Sequence, residues 1–208
     1  MKPELKLTLF TDYICPFCYI GDLRLNRLRE DYDVMVNFRF IEIHPDTPLE
    51  GAGVETLDYS TEKWTEMMDG LAEMAREEQV EFAPQRRLAN SHQALLLAEA
   101  AKNAGAEVFY ALHARLYEAY FVHGRSIGEE AVLRDLAHAS GIDDEFFDQA
   151  LSSGDGEKVL QQNMTMAVQA GVTGTPTFFI GERRLVGAVS LELLQSAASV
   201  AIEKQSAT

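Results

Sequence analysis

Cysteine is scarce in this chain: two residues among 208. That excludes the multi-disulfide framework by which small secreted domains hold themselves together. Positive charge is also short, with 18 Lys and Arg against 33 Asp and Glu and a formal charge of -15. Such a surface repels phosphate backbones and anionic bilayers, so neither nucleic acid nor membrane is an expected partner. No stretch approaches the roughly eighteen uninterrupted apolar residues of a spanning helix. Met1-Lys2-Pro3-Glu4-Leu5-Lys6 runs straight into a strand-like segment without an apolar targeting core, which predicts a cytoplasmic protein. What the chain does have is 47% hydrophobic and 25% charged residues. This is ample for a folded core and too apolar for intrinsic disorder. The length fits one domain, or one domain carrying a substantial insert.

Leu5 to Phe10 reads as a short core strand. From Pro16 the pattern turns helical, with Phe17, Ile20, Leu25 and Leu28 spaced near three or four and charges at Asp22, Arg24, Arg27 and Arg29 between them. Val34 to Ile43 follows as a second strand, apolar at Val34, Val36, Phe38 and Phe40. Strand, helix and strand in this compass make a βαβ unit with parallel strands. His44-Pro45-Asp46-Thr47-Pro48 with Gly51 and Gly53 marks a loop, after which nearly everything from Thr61 to Ala170 reads as helix. Ser60 and Asp143 are expected N-caps, and Gly105 and Gly141 sit where helices should stop. Strand character returns at Thr177-Phe178-Phe179-Ile180, and a turn then leads to Arg184-Leu185-Val186-Gly187 as a hairpin. Leu191 to Ile202 closes as an amphipathic helix, and Gln205-Ser206-Ala207-Thr208 are expected to fray. The organisation predicts an α/β domain made of residues 1–45 and 157–208 in one sheet, split by an inserted helical domain, 46–156.

The two cysteines form Cys15-Pro16-Phe17-Cys18 at the start of the helix that leaves the first strand. Side chains three apart lie on one face, within reach of disulfide geometry after small adjustment. Pro16 suits the first helical position because its missing N–H is one the helix leaves unpaired. Unpaired amides and the positive end of the helix dipole favour a thiolate there. Cys15 is thus the expected exposed nucleophile and Cys18 the buried, resolving thiol. A C-x-x-C in a βαβ context signals a thioredoxin-like redox site. Zinc normally takes four ligands, and no second C-x-x-C or neighbouring histidine pair supplies the rest. Two inert buried thiols are the blander alternative. The second constellation is Gly171-Val172-Thr173-Gly174-Thr175-Pro176-Thr177-Phe178. A Thr-Pro bond alone is a plain turn; opposite a C-x-x-C, a cis Pro176 would turn Thr175 to present its backbone to an extended chain.

Together Thr11-Asp12-Tyr13-Ile14-Cys15-Pro16-Phe17-Cys18-Tyr19-Ile20-Gly21, the helical block and the Thr175-Pro176 segment resemble the DsbA-like thioredoxin family, and within it the FrnE-like group of cytosolic oxidoreductases. The resemblance implies a thioredoxin-like fold with a large all-helical insertion that roofs the active site, and thiol–disulfide exchange at Cys15 and Cys18, with Pro176 cis against them. It also implies a disulfide- or dithiol-containing protein or small molecule as substrate. No cofactor is required, glutathione is a candidate recharging thiol, and a homodimer would form through the insert. Relatives on this scaffold perform glutathione-dependent transfer or isomerise 2-hydroxychromene-2-carboxylate, typically with a single Ser or Cys, which is the rival reading. A non-catalytic redox-sensitive holdase is a third. The chain departs from DsbA in carrying Phe17 where DsbA has His, which predicts a less oxidising disulfide. The strand acid of many thioredoxins is Leu9 here. Asp12 is the nearest carboxylate, read as an Asx turn into the helix before any role in moving the Cys18 proton. Thr175 resembles the disulfide isomerases, its hydroxyl in reach of Cys15. Phe109, Tyr110, Tyr117, Tyr120 and Phe121 are read as insert core with one wet edge, a groove for unfolded chains being the alternative; Trp64 with Met67, Met68 and Met74 is read as core, an adaptable substrate surface being the alternative.

Overall fold

A computed structural model describes residues 2–84 and 87–206. Strand β1 (Glu4–Thr11) alternates buried and exposed side chains, then turns wholly inward at Leu9, Phe10 and Thr11. It leads into helix α1 (Pro16–Leu28) and strand β2 (Asp33–Phe40), which lies parallel to β1 with Leu9 opposite Phe38. Between β2 and the later strands come α2 (Thr61–Glu77), α3 (His92–Ala101), α4 (Ala106–Tyr117), α5 (Glu130–Ala139), α6 (Asp144–Ser152) and α7 (Asp155–Gln169). β3 (Ala52–Gly53) and β4 (Arg87–Leu88) form a small antiparallel ladder that the sequence pattern does not show. The hairpin β5 (Thr177–Ile180) and β6 (Arg183–Val186) turns on Gly181 and Glu182, and α8 (Leu191–Ser206) ends the described chain. β5 runs antiparallel to β1, giving one four-stranded mixed sheet in the order β2-β1-β5-β6. The architecture is the expected α/β sheet with a large helical insertion.

Local signals are met where they depend on neighbours in sequence. The Ser60 hydroxyl accepts from the Lys63 amide and the Asp143 carboxylate from the Phe146 amide. Gly105 and Gly141 take positive φ, 112° and 86°, beyond helix ends. Other readings need correction. β2 ends at Phe40 rather than Ile43, because Ile41 and Ile43 turn their amides to Thr11 O and Asp12 Oδ2. Gln205 and Ser206 continue α8 rather than fraying; Ala207 and Thr208, the rest of that expectation, lie outside the described residues. Asp22 and Arg24 are not on a solvated face: both are buried, at 5% and 3% exposure. Arg24 donates to Glu78 Oε1 (2.8 Å), Glu77 Oε2 (2.6 Å) and the Ala188 and Val189 carbonyls, pinning α1 to α2 and to the chain after β6.

A single apolar cluster joins the sheet to the helical block, with Phe38, Phe40 and Tyr13 packed against Phe109, His113 and Tyr117 of α4. A buried polar chain threads this seam. The Tyr13 hydroxyl meets His113 Nδ1 at 2.8 Å, and His113 Nε2 meets Asp22 Oδ1 at 3.1 Å. Burial without partners would cost each of these groups one or more kcal/mol, so the chain fixes α4 over α1.

Candidate active site

The tip of β1 and the first turn of α1 build the site. Cys15 is the N-cap of α1, in extended conformation, and Pro16 is its first helical residue. The Cys15 carbonyl accepts from the Cys18 and Tyr19 amides. Asp12, fully buried, holds the approach to this turn from three directions. Its Oδ1 accepts from the Ile14 amide, which is the expected Asx turn; its Oδ2 accepts from the Ile43 amide and the Ser91 hydroxyl. It therefore ties the cysteine loop to the end of β2 and the start of α3. Burial lifts the Asp12 carboxyl to about 6, against these three hydrogen bonds.

Both cysteines are free thiols. Cys18 is fully buried, and Cys15 is only 5% exposed, so the nucleophile expected to be exposed is not. It lines a cavity with residues of the helical block: Val54, Leu57, Tyr59, several residues of α2 and Phe82 face the same space. The Cys15 thiol is held below its ordinary value, first by the hydrogen bond from the Cys18 thiol and then by the Thr175 hydroxyl and the Cys18 amide, against burial and the Asp12 charge. The helix end contributes through that amide, yet the partner thiol matters most. Cys18 is pushed well above the ordinary thiol value, first by burial and then by the neighbouring Cys15 sulfur; the Thr11 and Thr175 hydroxyls oppose this. One sulfur is thus prepared as thiolate and the other as proton donor to it.

The Thr175–Pro176 peptide is cis and lies beside the pair. The Cys15 thiol donates to the Thr175 carbonyl at 3.5 Å. The Thr175 hydroxyl is buried with no well-aligned partner and lies against both sulfurs, favouring a thiolate at either. Pro176 packs over α1 at Gly21, where a Cβ would come within 3.1 Å of the Pro176 ring and 3.0 Å of Phe178. The fold thus brings Cys15, Cys18, Thr175, Pro176 and Asp12 together, across a sequence gap of some 160 residues.

Pro16 and Phe17 face the other way, into a cavity of about 350 Å³ that Cys15 also lines. Its walls include Trp64, Met67, Met68 and Leu71 of α2, Leu57 and Tyr59 before it, and Tyr120 and Phe121. Trp64 and Met67 line the cavity, which fits the adaptable-surface alternative better than core; Met68 does both, lining the cavity and packing with Met74 against Ile20, Leu71 and Ala75. Tyr120 and Phe121 are core and wall at once, carried on a π-helical turn over Glu118–Val122 where an α-helix is expected. Two residues escaped the sequence reading. The Thr11 hydroxyl supports a Cys18 thiolate, and the Tyr117 hydroxyl bonds Thr11 Oγ1 at 2.7 Å from the far side of the fold. Thr11 adjoins the cysteine motif and was legible there; nothing local marks Tyr117. Among the described residues no group of three or more His, Cys, Asp and Glu could hold a metal ion, and no helix is long and apolar enough to cross a membrane.

Known proteins are similar to this chain. YwbO of Bacillus subtilis, a protein of uncharacterized function, is 26% identical over 199 residues, covering 93% of this chain and 95% of its own. The ClpXP adapter protein SpxH of Bacillus subtilis is 27% identical over 176 residues, 85% of this chain but 58% of that protein, so this chain spans little more than half its length. Two solved structures share the fold. A probable DsbA oxidoreductase from Streptomyces coelicolor superposes with TM-score 0.83 at 23% identity, covering 95% of this chain and 90% of that one. A 2-hydroxychromene-2-carboxylate isomerase does so at 0.78 and 20%, covering 97% and 98%. The model of the DSBA-like thioredoxin domain matches residues 6–199, which include both cysteines, the cis-proline turn and the helices between, and the chain belongs to that family.

Proposed function

We propose that this protein is a thiol–disulfide oxidoreductase in which Cys15 is the nucleophile and Cys18 the resolving thiol. The observation that carries this reading is the opposed pair of thiols, Cys15 held low and Cys18 held high, with the Thr175 hydroxyl against both. In the reducing direction the Cys15 thiolate attacks one sulfur of a substrate disulfide, forming a mixed disulfide and releasing the first substrate thiolate. That thiolate takes up a proton, and Cys18 gives up its own. The Cys18 thiolate, supported by the Thr11 and Thr175 hydroxyls, then attacks Cys15. The Cys15–Cys18 disulfide forms and the second substrate thiolate leaves. Two electrons pass from the dithiol to the substrate. The reverse sequence oxidises a dithiol or, combined with the forward one, isomerises disulfides. No cofactor enters, and glutathione serves as the recharging thiol. Asp12 and Pro176 position the turn and the cis loop around the sulfurs.

The FrnE-like subgroup is proposed on the motif resemblance, and a cytoplasmic location and a homodimer formed through the helical block are proposed beside it; fractionation and sedimentation test the last two. The apolar cavity favours one rival, a glutathione-dependent isomerase or transferase of a small aromatic molecule, like the isomerase that shares the fold. Cys18→Ser separates the two. Dithiol exchange requires that this variant accumulate mixed disulfides at Cys15 and lose turnover; the rival requires turnover that survives.

A further inference from the structure

The sulfur that attacks is only 5% exposed, and it lines a cavity open to solvent on one side, so a disulfide reaches it by entering that space. At about 350 Å³ the cavity is at the small end of ligand sites, which run from roughly 300 to 1,000 Å³ and carry few polar groups among apolar ones. Its polar side chains are largely committed or uncharged. Arg87 turns Nη2 onto the Glu50 and Gly51 carbonyls, at 3.0 and 2.9 Å. The Tyr120 hydroxyl accepts from the Ala89 amide and donates to the Arg87 carbonyl. Burial holds His44 below its ordinary value, which favours the neutral ring. A peptide disulfide such as oxidised glutathione, with its carboxylates and ammonium groups, would lose solvation here with little in return. Flat aromatic rings fit the rest of the lining: Trp64, Tyr59, Phe17 and Phe121 offer ring faces and edges, and Met67 and Met68 offer thioethers that adapt to ring shape.

We propose that this cavity is the substrate site and that its ligand is a small, uncharged aryl disulfide. The proposal rests on the exchange reading above and narrows its substrate from proteins and small molecules alike to the latter. The Cys15 thiolate attacks one sulfur of Ar–S–S–Ar, forming Cys15–S–S–Ar and releasing ArS⁻. Cys18 then closes the Cys15–Cys18 disulfide and releases the second ArS⁻, its proton passing to solvent, so that two electrons move from protein to substrate and two ArS⁻ leave to equilibrate with solvent protons.

The test uses the full, reduced chain. Single-turnover reduction of 4,4′-dithiodipyridine is followed across its concentration, beside oxidised glutathione and insulin. In parallel, 4,4′-bipyridine, which has the rings without the disulfide, is titrated against the emission of Trp64, the one tryptophan of the chain. The expected result is a rate that saturates with the dithiodipyridine but rises linearly with glutathione disulfide. Bipyridine should quench Trp64 and compete with the aryl substrate. Ala72→Phe, an exposed helical position that lines the cavity, should raise the half-saturating concentration about tenfold, or about 1.4 kcal/mol. A linear rate with dithiodipyridine, an unresponsive Trp64, or insulin preferred over the aryl disulfide would overturn the proposal. If bipyridine binds and no disulfide of the three is reduced, the exchange chemistry falls and the ligand class of the cavity stands. If all three react without saturation, exchange stands and the cavity proposal falls.

Discussion

Replacing Cys18 asks what lowers the Cys15 thiol below its ordinary value. The Cys18 thiol is fully buried, and its hydrogen bond is the largest influence lowering Cys15; the Thr175 hydroxyl and the Cys18 amide come after it. Cys18→Ala removes the thiol donor and keeps the amide. Hydrogen bonds to a charged group contribute about 1.5–3 kcal/mol, and a thiol is a weak donor, so the low end of that range applies. Since 1.36 kcal/mol is tenfold, the ionisation constant of the Cys15 thiol should fall about tenfold. Cys18→Ser keeps a hydroxyl at the same place and should recover part of the loss. The assay is the rate of Cys15 alkylation by iodoacetamide from pH 5 to 10, located by mass spectrometry. Each profile is normalised to its own high-pH plateau, so that altered access to the sulfur cancels. The order of midpoints should be wild type lowest, Ser next and Ala highest. Identical midpoints in the three proteins would refute the reasoning and return the helix end to first place.

Thr175→Val removes the hydroxyl beside both sulfurs at nearly constant shape; with a net hydrogen-bond contribution of about 0.5–1.5 kcal/mol, alkylation of Cys15 at neutral pH should slow roughly two- to tenfold. Asp12 sets a pH dependence of stability. Its folded-state carboxyl titrates at about 6 against an ordinary 3.8, so between those values the folded chain holds the extra proton and stability falls as pH rises. Relative to Asp12→Asn, whose lost acceptor at Ile43 is a pH-independent offset, wild-type stability in urea should drop by about 2–3 kcal/mol from pH 3.5 to 7; a flat difference would contradict the burial argument. Gly21→Ala places a methyl within 3.0–3.1 Å of Phe178 and Pro176, and overpacking there should cost about 1–3 kcal/mol and slow exchange by displacing the cis loop. Unchanged stability and unchanged exchange rates would show that the loop yields freely.

Legibility in the sequence followed the range of the interactions. Ser60 and Asp143 cap, and Gly105 and Gly141 terminate, through atoms within a few residues, so their pattern sufficed. β1, α1 and β2 were plain for the same reason, and the cysteine motif placed its own helix turn. The ladder of Ala52 with Leu88 was not, since two-residue strands carry no periodicity and their pairing joins distant segments. Asp22 and Arg24 look like surface charges on α1 because their partners, His113 on α4 and Glu77 and Glu78 at the end of α2, are remote. The family resemblance implied a roof, but not which residues would line it. A thiol at a helix N-terminus reads as exposed, and Trp64, Met67 and Met68 read as core, until α2 is known to line the same cavity as Cys15. The chemistry of the sulfurs was local and visible; the space in front of them was tertiary and was not.

The most direct test of the account is an equilibrium redox titration of the full chain in glutathione buffers, quenched with acid and counted by mass after alkylation. Reversible chemistry at the pair predicts that Cys15 and Cys18 leave the alkylatable pool together, in one two-electron transition that Cys15→Ser abolishes. Both thiols remaining alkylatable in the most oxidising buffer, or Cys15 settling as a lasting adduct with glutathione while Cys18 stays free, would contradict it.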